Sequence, residues 1–546
     1  MKARLLALTA AACLAITACT RVDETSTGSG QRHAWTQPGV LRIASISDPD
    51  TLSPMVGNFQ IDFDLAMFWG GFLFNYTDDN RLLPELATVE PTQANGGITP
   101  DGRTITYHLR RGVRWHDGAP FSADDVIFTW RAIMNPQNNV GDRTAYARIT
   151  RIDKRDDATV AVHLDRPYAP FVATFLTQGE IPIPVYPRHL LARYPDLDRI
   201  PFNSAPVGTG PFKVLAWHRG EKIRMIANPD YWRGPPKLKE VDYSAIPNEQ
   251  TIVTQMRTHE IDLWYNASAA LYPEIMAIPA ARVFLTKFVQ YSQIGLNTQR
   301  PPLDDVRVRR ALAYGSDRRA IVTATSFGVN QLGEGDQPLA SWAYDPHVRG
   351  YAYDPGRAAA LLDAAGWRRG PDGIRIKNGN RLSLALATVT GEAIAARVGI
   401  LLQSQWRAIG VDLVVKQYAS SVMYASAGAG GIVQGGKMDL AFTGWSSGVD
   451  PDDSMIVTCA SRAPAAQNYY RFCDPAVDRY EDIALASYDR PTRVAAYAHV
   501  QQLVTSGVPF LTLWFNRLLS VASVDLHNYR PAHAVTAFWN TWEYEI

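Results

Sequence analysis

The chain has 546 residues, enough for about three to four domains of ordinary size. Hydrophobic residues make up 46% and charged residues 20% of the sequence, which is typical of a folded globular protein and excludes a mostly disordered chain. The 54 Lys and Arg residues nearly balance the 53 Asp and Glu residues, for a formal net charge of +1. This balance leaves no strong basic surplus, so we expect no nucleic-acid partner.

The N-terminal residues have the pattern of an export signal. Lys2 and Arg4 precede an apolar stretch over 5–18, and a helix of about 14 residues is too short to cross a ~30 Å hydrocarbon core. The stretch ends in Ile-Thr-Ala before Cys19, which resembles the bacterial lipobox, where cleavage precedes an acylated cysteine. The pattern predicts a signal peptide over 1–18, lipidation of Cys19 and a flexible tether over 19–33. An ordinary signal peptide, with Cys19 incidental, is the alternative.

Two cysteines, Cys459 and Cys473, remain once Cys13 leaves with the signal and Cys19 is acylated. Exported proteins fold in an oxidising compartment, where such a pair favours a disulfide that closes a surface loop. A loop of this size is worth about 3 kcal/mol in the chain-entropy model. Two buried free thiols are the alternative.

The first half of the chain shows three strand patterns and one capped helix. Apolar or alternating residues predict strands over 40–45, 103–109 and 159–164. A helix is predicted to begin after Ser122, where the pattern resembles a capping box, and to end before Pro136. The stretch 203–212 is dense in Pro and Gly, which is typical of a crossing between domains.

The second half predicts a strand over 382–386, a helix over 392–409 ended by Gly410, and a strand over 411–415. A strand–helix–strand order implies a right-handed crossover between parallel strands. A further strand over 438–442 leads into Gly-Trp-Ser-Ser-Gly at 444–448. The alternation of strands and helices predicts an α/β fold.

The 444–448 segment matches G-x-S-x-G, the nucleophile elbow of serine hydrolases. That motif needs a sharp strand-to-helix turn and a later acid and histidine, for which Asp474 with His499 or His527 are candidates. Pro451 follows where the helix should begin. A secreted serine hydrolase using Ser446 is therefore the alternative and not the main interpretation.

Metal and cofactor motifs are weak throughout the chain. The 11 histidines are scattered, and the Gly-rich stretch 431–437 lacks the Ser or Thr that a P-loop requires. Close carboxylate pairs stand at predicted helix starts, where they favour helix capping: Asp124–Asp125, Asp304–Asp305 and Asp452–Asp453. We therefore expect no cofactor and no metal site.

Several blocks together resemble the bacterial extracellular solute-binding proteins of family 5, the lipoproteins that feed dipeptide, oligopeptide and nickel ABC importers. The blocks are DGRTITYHLRRGVRWHDG at 101–118, FSADDV at 121–126, GTGPF at 208–212, NPDYW at 228–232 and VRVRRAL at 306–312. The pair Cys459 and Cys473 resembles a disulfide of the dipeptide-binding branch. The resemblance covers the chain from about residue 40 to the C-terminus.

The resemblance implies a two-lobed α/β clamp of the type II periplasmic-binding-protein class, with an extra domain in the first lobe. Lobe one would hold 34–77, 204–290 and 518–546, the extra domain 78–203, and lobe two 291–517. The lobes would close on a ligand by hinge motion.

The resemblance also implies function. The protein would bind a peptide or peptide-like solute without changing it covalently, so it would not be an enzyme. It would act as a monomer in the periplasm or at the cell surface, anchored through Cys19, and deliver the solute to an ABC permease.

Trp445 stands at the C-terminal end of a predicted strand, the edge where open α/β sheets bind ligands. We expect it to line a cleft, with packing in the core as the alternative. The resemblance adds that peptide binders share Trp-x-x-Asp here, whose Asp pairs with the ligand's α-ammonium. Gly448 replaces that Asp in this chain, and Asp450 or Asp452 is the nearest substitute.

A buried ammonium without its carboxylate would lose several kcal/mol. Blocked or modified peptides, oligosaccharides and opine-like conjugates are therefore alternative ligands. The segment after the first strand should supply the opposite face of the site. The predicted ligand-binding residues are Trp445, Ser446, Ser447, Gly448, Asp450, Asn58, Phe59 and Gln60.

Overall fold

The computed structural model describes residues 32–57, 59–179, 181–533 and 536–546. The chain forms two units, Met1–Thr36 and Gln37–Ile546. In the first unit, the His33 ring stacks on Trp35 at 4.3 Å between centroids. The predicted signal peptide, the lipidated Cys19, most of the tether and Asn58 lie outside the described residues. All strands and helices given below belong to the second unit.

The strands of the second unit are, in chain order, β1 Val40–Ser45, β2 Phe74–Tyr76, β3 Leu82–Pro84, β4 Thr104–His108, β5 Ile149–Asp156, β6 Thr159–Leu164, β7 Phe212–His218, β8 Lys222–Ala227, β9 Glu240–Ala245, β10 Leu263–Trp264, β11 Ala281–Leu296, β12 Gln331–Leu332, β13 Arg368–Arg369, β14 Arg375–Lys377, β15 Asn380–Arg381, β16 Ser383–Val389, β17 Asp412–Tyr418, β18 Leu440–Ser446 and β19 Phe510–Ser523.

The α-helices are α1 Gln60–Trp69, α2 Ala123–Met134, α3 Phe171–Thr174, α4 Arg188–Leu191, α5 Glu249–Arg257, α6 Tyr272–Ile275, α7 Val306–Tyr314, α8 Arg318–Ser326, α9 Pro355–Ala364, α10 Ala393–Ala408, α11 Ser420–Met423, α12 Ser454–Val457, α13 Pro475–Ala486 and α14 Arg490–Gly507. Among the described residues, no helix has the length and apolar character needed to span a membrane.

One 11-stranded mixed sheet organises the second unit, in the order β17-β16-β18-β11-β19-β10-β1-β9-β8-β7, with β12 beside β19. The long strands β11 and β19 pair antiparallel near its middle. Strands β16 and β17 are parallel and α10 connects them, as the strand–helix–strand pattern predicts. A smaller antiparallel sheet has the order β4-β6-β5. The predicted α/β class is confirmed.

Two large hydrophobic cores flank this sheet. The first draws mainly on residues 41–289 and 518–546, and the second on residues 294–514. The two cores thus draw on the same parts of the chain as the two predicted lobes. The boundaries of the lobes remain a prediction.

Local signals at helix ends are confirmed. Asp125 accepts the Ser122 N–H at 2.9 Å, which completes the predicted box at the start of α2. Gly410 follows α10 with a φ of 87°, a left-handed conformation that favours glycine. Strand β18 differs from its prediction: it runs to Ser446, through the Gly-Trp-Ser segment that was expected to leave the strand.

Two of the sequence blocks contact each other around His116. The Gly208 N–H donates to His116 Nδ1 at 3.1 Å, and Nε2 lies 3.0 Å from the Gly210 carbonyl. A Cβ at Gly208 would lie 1.8 Å from the Trp69 carbonyl oxygen, so only glycine allows this close approach. Both ring nitrogens are thus used by backbone groups, which requires the neutral imidazole.

Candidate functional site

Ser446 is the last residue of a strand and does not lie in a turn. Strand β18 runs antiparallel to β11 and places Ser446 opposite Gln290. The Ser447 N–H continues the ladder by donating to the Val289 carbonyl at 2.9 Å, and helix α12 begins only later. A nucleophile elbow exposes its serine on a sharp strand-to-helix turn. Ser446 therefore lacks the geometry that the hydrolase alternative requires.

The acid and histidines suggested for that alternative have other contacts. Asp474 caps α13. The His499 ring stacks on Tyr480 at 4.3 Å between centroids, and His527 exchanges backbone hydrogen bonds with Glu545. These three residues thus contact partners other than Ser446.

One side of β18 has no strand partner over most of its length. Strand β16 pairs with it only at Leu440 and Ala441, whereas β11 pairs along the whole strand. Backbone groups alternate in direction along an antiparallel pair, and the Ser447 N–H points towards β11. The backbone groups of Gly444 and Ser446 therefore point the other way. Within the described chain, no other backbone or side chain bonds them there.

Trp445 packs in a hydrophobic cluster and is only 8% exposed. The cluster also contains Tyr291 and Tyr470. Among the described residues, neither the Trp445 indole N–H nor the Ser447 hydroxyl has a hydrogen-bond partner. Packing is therefore observed for Trp445, and contact with a ligand remains a prediction.

Asp450 is engaged in a buried ion pair. Its two carboxylate oxygens accept from Arg493 at 2.6 and 2.8 Å, and the two side chains are 10% and 8% exposed. Burial disfavours the Arg493 charge, but the charges and hydrogen bonds of Asp450 and Tyr497 together outweigh burial and hold the pKa of Arg493 above its ordinary value. The Asp450 carboxylate is thus already paired, and a ligand ammonium would compete with a buried guanidinium.

Gly448 opens onto a small cavity of about 60 Å³ that is also lined by Asp142, Arg148, Tyr168 and Asp452. The Tyr168 hydroxyl donates to Asp452 Oδ2 at 2.7 Å. This bond joins the segment predicted as the extra domain to the loop after β18. Within the loop after β18, Asp452 therefore lines this cavity without an ion-pair partner among the described residues.

The opposite predicted face lies at the start of α1. Phe59 precedes the helix and is 55% exposed, and Gln60 donates to Asp64 Oδ1 at 3.2 Å. Asp64 is fully buried and also accepts from the Tyr265 hydroxyl at 2.7 Å. Burial raises the pKa of Asp64 to about 7, against the opposing effect of these two hydrogen bonds. Neither Phe59 nor Gln60 lines the cavity beside Gly448.

A buried carboxyl cluster, formed by Asp336, Asp453 and Glu481, was not predicted from the sequence. All three side chains are at most 1% exposed. Burial raises each pKa well above its ordinary value, and the neighbouring carboxyl groups add to this effect for Asp336 and Asp453. No basic side chain of the described residues forms an ion pair with them. The capping prediction was wrong for Asp453, which bonds no backbone N–H at the start of α12.

The predicted disulfide is confirmed: Cys459 and Cys473 are bonded, with Cα atoms 4.4 Å apart. The Cys459 N–H donates to Asp478 on α13 at 2.9 Å, which ties the closed loop to that helix. Within the described ranges, no group of three or more His, Cys, Asp or Glu side chains is arranged to hold a metal ion.

Three comparisons place the chain among known proteins. Residues 81–467 match the family model for bacterial extracellular solute-binding proteins, family 5 Middle. Di/tripeptide-binding protein 2 of Pseudomonas aeruginosa is 29% identical over 513 residues, covering 89% of this chain and 93% of that protein.

Two solved structures share the fold. DppA of Helicobacter pylori, in complex with the peptide STSA, has a TM-score of 0.76 at 23% identity and covers 93% of this chain and 98% of its own. NikA of Brucella suis, in complex with Fe(III)-EDTA, has a TM-score of 0.81 at 22% identity and covers 92% of this chain and 99% of its own. The predicted two-lobed solute-binding fold is confirmed.

The family model matches more than half of the chain, and the relatives match nearly all of it. The chain therefore belongs to the bacterial extracellular solute-binding proteins of family 5.

Proposed function

We propose that this protein captures a peptide-like solute between two lobes and delivers it to an ABC importer. Family membership supports solute binding, and similar proteins are named for di- and tripeptides or contain a bound peptide. The lobes proposed to close on the solute are 34–77, 204–290 and 518–546 with the extra domain 78–203, and 291–517.

The unpaired side of β18 is the observation that carries the peptide class. The Gly444 and Ser446 backbone groups face away from β11 and have no partner among the described residues. An extended peptide can add to such an edge as a further strand, because main-chain hydrogen bonds recognise any peptide backbone. The free Trp445 indole N–H and Ser447 hydroxyl are further donors beside this edge.

The end of the solute next to Gly448 is proposed to lack a free α-ammonium. Gly448 offers no carboxylate, and Asp450 is bonded to Arg493 through both oxygens. Asp452 is the other acid of this loop that lines the cavity, and it accepts from the Tyr168 and Ser454 hydroxyls. Blocked or modified peptides fit this arrangement better than ordinary ones, with oligosaccharides and opine-like conjugates as alternatives.

The opposite face of the site is proposed to come from Asn58, Phe59 and Gln60. Exposure of Phe59 supports this assignment, because its ring is available to a ligand. The Gln60 amide is held by the buried Asp64, which would fix its orientation towards the site.

The protein is proposed to act as a monomer in the periplasm or at the cell surface, anchored through an acylated Cys19. The lipobox-like sequence before Cys19 supports this location. The intact mass of protein extracted from membranes tests it, because cleavage and acylation at Cys19 give one defined mass. A mature protein that starts elsewhere and carries no lipid would contradict the anchor.

Native mass spectrometry of the protein, purified without denaturation, tests the proposed function. We expect a bound mass that disappears on unfolding and fragments as a peptide-like molecule. Ser446→Ala is the matched variant, because it keeps the strand backbone and should change affinity by no more than about 1–2 kcal/mol. Turnover of a generic ester by the wild type, lost in Ser446→Ala, would instead favour the hydrolase.

A further inference from the structure

A second, larger cavity lies beside the loop that follows β18. Its volume is about 420 Å³, enough for a small organic group with its water. One wall comes from 76–90 and 169–173, and the other from Trp342, 449–450 and 490–493. The cavity therefore continues the region of Gly448 and lies between parts of the two predicted lobes.

Arg490 is the cation of this cavity that forms no ion pair among the described residues, although Asp450 and Glu90 line the same cavity. Arg493 is neutralised by Asp450, and Arg81, at the cavity margin, pairs with Asp79 at 2.7 Å. Across the residues that the structure describes, Arg490 makes neither an ion pair nor a hydrogen bond. Burial lowers the pKa of Arg490 and the like charge of Arg493 adds to this effect, while the negative charges of Asp450 and Glu90 oppose it.

The Trp342 ring orients the Arg490 guanidinium. The guanidinium carbon lies 3.5 Å from the ring centroid, the geometry of a cation–π contact. A guanidinium stacked by its face keeps its edge N–H groups free, and that edge matches the two oxygens of a carboxylate. Tyr76 lines the opposite wall and brings a hydroxyl group to the same cavity.

Glu90 is the acidic group of the cavity besides Asp450. Burial raises its pKa, and the nearby Arg490 only partly opposes this effect. The Glu90 side chain forms no ion pair or hydrogen bond within the described chain. It therefore leaves the Arg490 edge open to an anion.

We propose that this cavity binds a carboxylate group, held by the Arg490 guanidinium on its Trp342 platform and by the Tyr76 hydroxyl opposite. Arg490 and Tyr76 stand on different walls, so a carboxylate that contacts both favours the closed arrangement of the two walls. That this carboxylate belongs to the imported solute rests on the proposed function. The binding of a carboxylate group in this cavity does not depend on the proposed function.

The experiment uses calorimetric titration of the purified protein with N-acetylalanine, which has a carboxylate and no ammonium. Bound solute is first removed by unfolding and refolding, and native mass spectrometry checks that it is gone. We expect a dissociation constant below about 10 mM, with no binding of the neutral N-acetylalanine amide. Arg490→Gln should weaken binding at least ~10-fold, and Arg490→Lys, which keeps the charge and loses the planar edge, should weaken it less.

Arg479→Gln is the matched control, because Arg479 also stacks on an aromatic ring, Tyr480 at 4.9 Å, but lines no part of this cavity. It should leave the affinity unchanged. The proposal is overturned if N-acetylalanine does not bind, if Arg490→Gln binds it equally well, or if inorganic phosphate binds ~10-fold more tightly. If native mass spectrometry of the protein as purified shows no bound solute, that result contradicts the proposed function. It does not change the result of this titration.

Discussion

At the scale of single residues, His116 shows how a sequence block produces a pH-dependent contact. Its two ring nitrogens are bonded by the backbone of Gly208 and Gly210. Burial lowers the pKa of His116 to about 4, although the Gly210 carbonyl favours the charged form. Protonation would place an N–H against the Gly208 N–H, so the folded protein holds the ring neutral.

His116→Gln is therefore expected to flatten the acid limb of the stability curve. The folded pKa lies below the ordinary value of about 6.5, so the contribution of His116 is present above pH 6.5 and is lost as the pH falls towards 4. The wild type should lose about 3 kcal/mol more than the variant between these values. Urea unfolding at several pH values measures the difference.

The exposed His218 provides the control for this prediction. His218→Gln should follow the wild-type curve at every pH, because its ring makes no comparable pair of backbone bonds. A His116→Gln curve parallel to that of the wild type would contradict the role given to His116.

At the scale of elements, β18 combines packing on one side with a free backbone edge on the other. The sequence predicted a strand here but ended it too early, because Gly-Trp-Ser-Ser-Gly is typical of a turn. Pairing with the long strand β11 outweighs this local preference and carries the ladder to Ser447. Register, which sequence periodicity does not supply, decides which backbone groups remain free.

Ser446→Pro tests that free edge. The Ser446 N–H points away from β11, so proline removes it without deleting a bond of that pair. We expect affinity for the solute identified by native mass spectrometry to fall by about 1–3 kcal/mol, the cost of one lost hydrogen bond at a buried site.

Calorimetry of both Ser446 variants gives the comparison. Ser446→Ala keeps the N–H and should bind nearly as the wild type does, while urea unfolding checks that the proline variant remains folded. If Ser446→Ala and Ser446→Pro lose the same affinity for the solute, the effect comes from the side chain. That result would contradict pairing of the solute with the strand backbone.

At the scale of the whole molecule, the α/β class, the disulfide and many element bounds could be predicted from the sequence. Helix caps and alternating strands are signals of short sequence stretches, so they can be recognised in the sequence. The two-lobed fold was predicted from the sequence blocks that resemble the family. The ion pair of Asp450 with Arg493 and the carboxyl cluster could not be predicted from the sequence. Their members are far apart in the chain and meet only through tertiary packing. Close acidic residues such as Asp452–Asp453 look alike in sequence, yet one meets Tyr168 and the other lies buried in the cluster.

The carboxyl cluster couples folding to proton binding at its three side chains. Burial raises the pKa values of Asp336, Asp453 and Glu481, so folding favours their protonated forms. These three groups therefore bind protons more tightly in the folded state than in the unfolded state, and the contribution of the cluster to stability falls as the pH rises. Members of this family are extracellular proteins, so we expect the acidity of the medium outside the cytoplasm to influence how strongly this cluster stabilises the fold.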